Sequence, residues 1–389
     1  MEITHVAVIG GSIGGLTTAL LLCDAGFTVD VYERSSRVLS GLGNGIVVQP
    51  ELVRYLVERA STDIDAVSVS SSTMQYVDAI TGEQRGAVSA EWRFTSYDSI
   101  YRRLLELFGT DRYHLDKNLV GLAQDGESVQ LRFADGSDVN ACFVVGADGG
   151  MSTVRQRLTG VTPQYAGYVT WRGMVEPADL PEATWNFFDN AFTYGHLPNG
   201  HLIAYPIPGE EPGVVKRLNF QWYWNVPTGP ELDEIMSDCH GIRLPVSVHA
   251  HALCPRTLSE LHRRSETLAP MFREVVKASP LPFVTVVSDA NVKSTVHGRV
   301  ALVGDAAITP RPHAAAGAAK AAYDGWTLTD ALAGSAEGRV QRLKEWERRQ
   351  LAVGRGYLKK VRKMASRLQY GGDFAPGDPE FRFGLPREP

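Results

Sequence analysis

Apolar positions along the chain follow two periods. Val6 to Ile9 is an unbroken apolar run, as in strands buried on both faces, and Leu16, Ala19, Leu20 and Cys23 follow at helical spacing. A second strand is predicted over Thr28 to Tyr32. Two later apolar runs, from Cys142 to Gly146 and from Val300 to Val303, also read as buried strands. Each runs into a glycine–aspartate pair: Gly146-Ala147-Asp148-Gly149 and Gly304-Asp305-Ala306-Ala307.

Between these runs the pattern predicts a short strand over Gly43–Val48 and a helix opened by Pro50 and running to Ala60, the proline sitting where a missing N–H does no harm. Strands follow over Val67–Val77, Asp78–Val88 and Trp92–Thr95, then a helix over Asp98–Phe108 capped by Ser96 or Asp98. Residues 113–147 are strand-rich, with hairpin turns at Asp125-Gly126 and Asp135-Gly136. Ser152 then caps a helix carrying Arg155 and Arg157.

From Tyr168 the character changes. Tyr168–Val175, Ala191–Leu197, Leu202–Pro206 and Leu218–Val226 read as aromatic-rich antiparallel strands, in which Trp171, Tyr194, Tyr205, Trp222 and Trp224 are expected mainly to fill a sheet core. Residues 230–279 read as helical and connective, and Phe283–Val287 as a strand. A small-residue helix runs from about Gly317 to Ala333 and a long basic one from Arg339 to Leu368, before a Gly/Pro-bearing tail.

A chain of 389 residues exceeds what one core usually supports, so two joined domains are expected. Its net charge of −5 argues against nucleic-acid or membrane-surface binding, and no run approaches the ~20 apolar residues of a membrane span. No basic segment followed by an apolar run precedes the first strand, so a cytoplasmic protein is expected. Cys239, His240, His249, His251 and Cys254 cluster in sequence, but their spacing matches no standard zinc pattern.

The turn after the first strand reads Gly10-Gly11-Ser12-Ile13-Gly14-Gly15. Such a turn presents backbone N–H groups at a helix N-terminus, where the helix dipole favours anions. Glu33 ends the second strand near the ~20-residue offset at which a carboxylate reaches a ribose hydroxyl, so the unit is read as dinucleotide-binding. Ser12 stands where the fingerprint has its middle glycine, which lets backbone approach a pyrophosphate. Asp148 and Asp305, at carboxyl ends of predicted strands, are placed like binding residues.

These three motifs, in this order, resemble the FAD-dependent aromatic hydroxylases (group A flavoprotein monooxygenases of the p-hydroxybenzoate hydroxylase type) over nearly the whole chain. The resemblance implies an α/β fold: a Rossmann-like FAD-binding domain, an inserted substrate domain on an antiparallel sheet, and a long C-terminal helix. The first would comprise residues 1–70, 98–167 and 280–340, the second 71–97 and 168–279, and the helix and tail 341–389. By the resemblance, Gly10, Gly11, Ser12, Gly14 and Gly15 hold the FAD pyrophosphate, and Glu33, with Arg34 beside it, the adenosine ribose. Asp148 and Gly149 serve FAD and NAD(P)H, Asp305 the ribityl chain, and Arg102 faces the flavin. The stretch Pro312 to Gly317, including Ala315 and Ala316, lies under the isoalloxazine. Tyr97, Ala315 and Ala319 depart from the residues common in relatives.

The implied activity consumes NADH or NADPH and O2. FAD is reduced, oxygen adds at the flavin C4a, and the hydroperoxide hydroxylates a small hydroxylated aromatic or N-heteroaromatic ring. Finer stretches, such as Tyr168 to Gly173 and His201 to Gly209, resemble family members acting on dihydroxylated pyridines. His313 is expected either as the base that takes the substrate's hydroxyl proton or as a structural cap on the next helix. Tyr205 is a positioning candidate, and Asn44 and His196 are substrate-binding candidates. A homodimer is expected from the family alone. Two alternatives stay open: an NAD-dependent dehydrogenase, and a flavin-binding protein without turnover.

Overall fold

The computed structural model describes residues 1–39, 45–209, 215–371 and 375–386. Its first sheet has six strands in the order 296–297, 300–302, 143–146, 5–9, 28–32 and 113–114, all parallel except the edge hairpin. Val6, Val8, Val29, Val31, Val144 and Ala301 are fully buried, as the unbroken apolar runs require. Helices Ile13–Asp24 and Gly317–Leu332 pack together against this sheet. A separate three-stranded sheet (119–124, 129–133, 138–141) uses the two predicted Asp-Gly turns.

The second sheet has ten strands, ordered 247–248, 283–291, 164–175, 216–225, 200–208, 191–197, 69–78, 84–96 and 45–47, with 308–309 joined to 283–291. Its pairings are antiparallel except that of 191–197 with 69–78. Period-2 alternation divides its two faces. Val169, Trp171, Leu202, Phe220, Trp222 and Trp224 pack with helices 255–265 and 270–278 in one core. Tyr194, Tyr205 and Phe192 turn to the other face, toward the first sheet.

Two differences from the sequence pattern have simple causes. The strands expected at 78–88 and 92–95 form one long strand, Gln84–Ser96, because the 69–78 hairpin partner is itself long. Strand Gly45–Val47 pairs with Phe94–Ser96, so it belongs to the second sheet although it lies early in the chain. The C-terminal helix Arg339–Ser366 lies along helix 317–332, where Trp346 Nε1 and Gln350 Nε2 both donate to Thr327 Oγ1 (3.0 and 2.7 Å). Residues 375–386 then cross back over the second sheet: Phe383 packs on Trp92 and Phe192, and Gly384 N–H donates to Ala314 O at 3.0 Å.

Candidate active site

Four neighbouring strands of the first sheet deliver their carboxyl ends to one cleft. Strand 5–9 leads to Gly10, 28–32 to Glu33, 143–146 to Asp148, and 300–302 to Asp305. Gly10, Ser12, Gly14, Glu33, Arg34, Asp148, Gly149, Asp305 and Gly317 line this cavity of about 350 Å3.

The glycines of the turn have separate reasons. Gly10 has φ +101°, and a Cβ on it would lie 2.5 Å from Ala147 O. A Cβ on Gly15 would lie 1.9 Å from Gly10 O, so it serves close packing behind the turn rather than the cavity wall. Gly11 also stays behind the wall, against the Tyr113 hydroxyl, and donates its N–H to Glu33 Oε2 at 2.9 Å. Ser35 N–H donates to the other Glu33 oxygen at 2.9 Å, which fixes the carboxylate at the rim. Ser12 Oγ pairs with the Tyr97 hydroxyl at 2.9 Å, inside the cavity.

Both helices that start here are uncapped. Neither Ser12 nor Ala316 makes a side-chain cap, and the helix starts open on the cleft. Orphan N–H groups at a helix start need an acceptor, and an anion or a polarised ring edge supplies one. Asp305 adds the complementary feature. Among the described residues its carboxylate has no hydrogen-bond partner, and burial raises its pKa to about 6 despite Lys320 and Arg155 nearby. The donor set therefore fits a dinucleotide with a polyhydroxy chain.

Asp148 is tied down at the same time. Its carboxylate accepts from Ser152 Oγ and from Val154 N–H (3.1 Å), and burial pushes its pKa up. Ser152 in turn caps helix Thr153–Thr159 through Arg155 N–H at 2.9 Å.

Arg155 joins two of the motifs. Its buried guanidinium donates to Gly150 O, Asp305 O (3.0 Å), Ala306 O (3.3 Å), Thr309 Oγ1 (3.4 Å) and Val161 O (3.2 Å). A second buried anchor is Lys320, whose Nζ lies 2.6 Å from Asp324 Oδ2, while that oxygen accepts Gly304 N–H at 2.7 Å. The sequence pattern marks neither for function. The Lys320–Asp324 spacing of four inside an alanine-rich helix was the available signal.

A second cavity, about 360 Å3, continues from the first and shares Ile46, Tyr97, Asp305, Gly317 and Ala318 with it. Its other walls are the inner face of the ten-stranded sheet, the loop 310–315, and Phe383. Tyr205, Pro312, His313 and Ala315 line it. Ala315 adopts φ +50°, bending the loop so that Gly317 starts its helix at the junction of the two cavities. Ala316 lies behind, its N–H donated to the Tyr357 hydroxyl at 3.0 Å.

His313 is not a helix cap. Its Nε2 pairs with the Tyr168 hydroxyl at 2.7 Å, and burial with Arg311 alongside pulls its pKa down to about 3. His201, stacked on Tyr223 at 4.2 Å, is also held well below the usual histidine range by burial. Both are neutral rings at pH 7. Gln221, Tyr223, His201 and Arg172 share this wall, and sequence reading had not proposed them, since only strand register separates site-facing from core-facing positions.

Two expected residues fall elsewhere. Arg102 lines neither cavity, because helix Tyr97–Phe108 turns Tyr97 and Tyr101 inward and leaves Arg102 exposed, 2.6 Å from Asp98. His196 follows Tyr194 on the same face but passes the edge of the cavity into a small separate one with Asp78 and Arg85. Asn44 lies outside the described residues. Among the described residues no group of three or more His, Cys, Asp or Glu could hold a metal ion, and no helix is long and apolar enough to cross a membrane.

Comparison with known proteins agrees with this geometry. Residues 8–62 match the NAD(P)-binding Rossmann-like domain family, and residues 165–289 the FAD binding domain-like family. The 2,6-dihydroxypyridine 3-monooxygenase of Paenarthrobacter nicotinovorans is 59% identical over 383 residues, spanning 98% of this chain and 96% of that protein. The chain belongs to the FAD-dependent aromatic hydroxylases. The solved structure of 2,6-dihydroxypyridine-3-hydroxylase from Arthrobacter nicotinovorans matches this hydroxylase with a TM-score of 0.97 at 58% identity, covering 100% of this chain and 98% of that one. Klebsiella pneumoniae HpxO, solved with FAD and uric acid, shares the hydroxylase fold at a TM-score of 0.77 and 24% identity, covering 94% and 89% of the two chains. FAD is the cofactor and NAD(P)H its reductant. A dehydrogenase would have no use for the Gly304-Asp305 turn in the cleft.

Proposed function

We propose that this hydroxylase acts on a small dihydroxylated pyridine such as 2,6-dihydroxypyridine. The observation that carries the reading is the second cavity. It continues directly from the dinucleotide cleft at the Gly317 helix start and is walled by hydrogen-bonding rings of modest reach. Its 360 Å3 suits a single ring beside the flavin, and the 59% identical relative named for this substrate supports the same choice.

When bound, FAD supplies reducing equivalents from NAD(P)H and the activated oxygen. Glu33, Ser12 and the turn amides would hold its adenylate and diphosphate, and Asp305 with the Gly317 helix start its ribityl chain and ring edge. The protein's remaining tasks are to orient the substrate and keep water out. Tyr205, packed on Phe192 at 5.1 Å, offers a flat wall against which a ring stacks. His313 contributes as a neutral imidazole held by Tyr168, since burial, with Arg311 alongside, disfavours its protonation. Phe383 closes the outer side.

NADH oxidation and oxygen uptake, measured with and without 2,6-dihydroxypyridine and followed by product mass under labelled O2, test the proposal. One labelled oxygen atom per product is expected. NADH oxidation indifferent to the ring, or absent across a panel of hydroxypyridines and phenols, refutes it and favours a flavoprotein without ring turnover.

A further inference from the structure

Arg172 lies midway along strand Gln164–Val175, on the face turned to the second cavity, and lines it beside Gln221, Tyr223 and Tyr205. Among the described residues its side chain makes no ion pair and no hydrogen bond, and its Nε is sealed from solvent without an acceptor. A guanidinium left this way is costly, because a partly buried charge needs a counter-charge and its donors need acceptors.

The other groups facing this space do not supply one. Arg311, the second cation of the cavity, pairs with Asp289 at 2.8 Å, a carboxylate that it shares with Arg362 and that is not among the cavity's lining residues. Tyr205, Tyr223, Tyr194 and Tyr97 are un-ionised phenols, held above their ordinary pKa by burial, and His201 and His313 are neutral rings. Asp305 is the one carboxylate lining the cavity among the described residues, and it stands on the turn shared with the nucleotide cleft. The wall around Arg172 therefore carries an uncompensated positive charge and no strong base.

We infer that Arg172 is the counter-ion of the substrate, holding a ring hydroxyl in its ionised form so that the ring reacts as a monoanion. This rests on the hydroxylase reading above. In the step, the ring O–H bond breaks heterolytically, the electron pair stays on oxygen, and the proton passes to solvent. Nothing is oxidised or reduced. The retained pair raises electron density at the adjacent ring carbon, where an electrophilic oxygen is received.

The test uses FAD-loaded enzyme titrated with 2,6-dihydroxypyridine across pH, reading the ultraviolet difference spectrum that separates neutral from ionised ring. In wild type the bound ring should ionise about one to three pH units below the free compound, a preference for the anion of about tenfold to a thousandfold. Arg172→Lys should keep part of that shift, and Arg172→Gln should lose it while FAD stays bound. 2,6-Dimethoxypyridine, which cannot ionise, should bind wild type and Arg172→Gln within about threefold of each other. Equal ionisation in wild type and Arg172→Gln overturns the inference, as does equal weakening of the dimethoxy compound, which would make Arg172 a matter of shape. Labelled product formed from a ring bound neutral overturns this inference and leaves the hydroxylase reading standing. A ring bound as the anion without hydroxylation does the reverse, and no binding at all overturns both.

Discussion

Lys320→Met removes half of an ion pair in which both side chains are only 2% exposed. Asp324 would keep the Gly304 N–H on one oxygen, while its other oxygen already has no partner. Breaking a buried pair from one side costs about 3–5 kcal/mol, a large part of the ~5–15 kcal/mol that holds a typical domain folded. Adding Asp324→Asn should recover about 2 kcal/mol or more, since the amide oxygen still accepts from Gly304 without leaving a bare charge. Burial already raises the Asp324 pKa, and losing Lys320 raises it further. A folded-state pKa above the unfolded one places the penalty above that pKa and relieves it as pH falls through it, so the Lys320→Met deficit should shrink on acidification. Urea unfolding of apoprotein at two pH values, with FAD titration alongside, measures all three effects. A single variant within about 1 kcal/mol of wild type, or a double variant no more stable than the single, would refute the reasoning.

Arg155→Lys keeps a charge but cannot reach Gly150 O and the Asp305 and Ala306 carbonyls together. At about 1.5–3 kcal/mol per charge-assisted bond, FAD affinity measured by fluorescence should fall about tenfold to a hundredfold. Gly45→Ala places a Cβ 2.7 Å from both Asn219 and Tyr205, so KM for the ring should rise about tenfold, with FAD retained. Phe383→Ala opens the outer wall, so hydrogen peroxide released per NADH consumed should increase, measurable with a peroxidase-coupled assay. His313 has a folded pKa of about 3 against an ordinary 6.5, so as pH falls the unfolded chain binds its proton first and stability is lost progressively across that interval. His313→Gln should lose about 1.4 kcal/mol less per pH unit between 6 and 4 than wild type, read from paired chemical melts.

Much of the nucleotide half was legible because its signals are local. An apolar run, a glycine turn and a terminal carboxylate lie within a few residues of each other, and Asp148 and Asp305 repeat the pattern. The substrate half was harder to read. Trp171 and Tyr205 carry the same composition signal, yet one fills the outer core and the other walls the cavity, and only strand register separates them. Arg102 and His196 show the limit from the other side. Arg102 lies five residues beyond the cavity-lining Tyr97 on one helix and His196 two beyond Tyr194 on one strand, distances too short for spacing alone to resolve. Arg155 was hidden for a different reason, since its partners are mostly backbone carbonyls that only the folded chain brings near, and the Lys320–Asp324 pair is tied to the site only through the Gly304 backbone.

Phe383 lines the chamber from the segment 375–386, which Gly384 N–H ties to Ala314 O. The ring chamber is therefore complete only once this late segment has packed onto the ten-stranded sheet. A variant lacking residues 375–386 should hold flavin yet divert reductant into peroxide. Loosening the segment's anchors, the Gly384 bond to Ala314 or the Phe383 contacts with Trp92 and Phe192, should therefore disturb ring turnover from a distance along the chain.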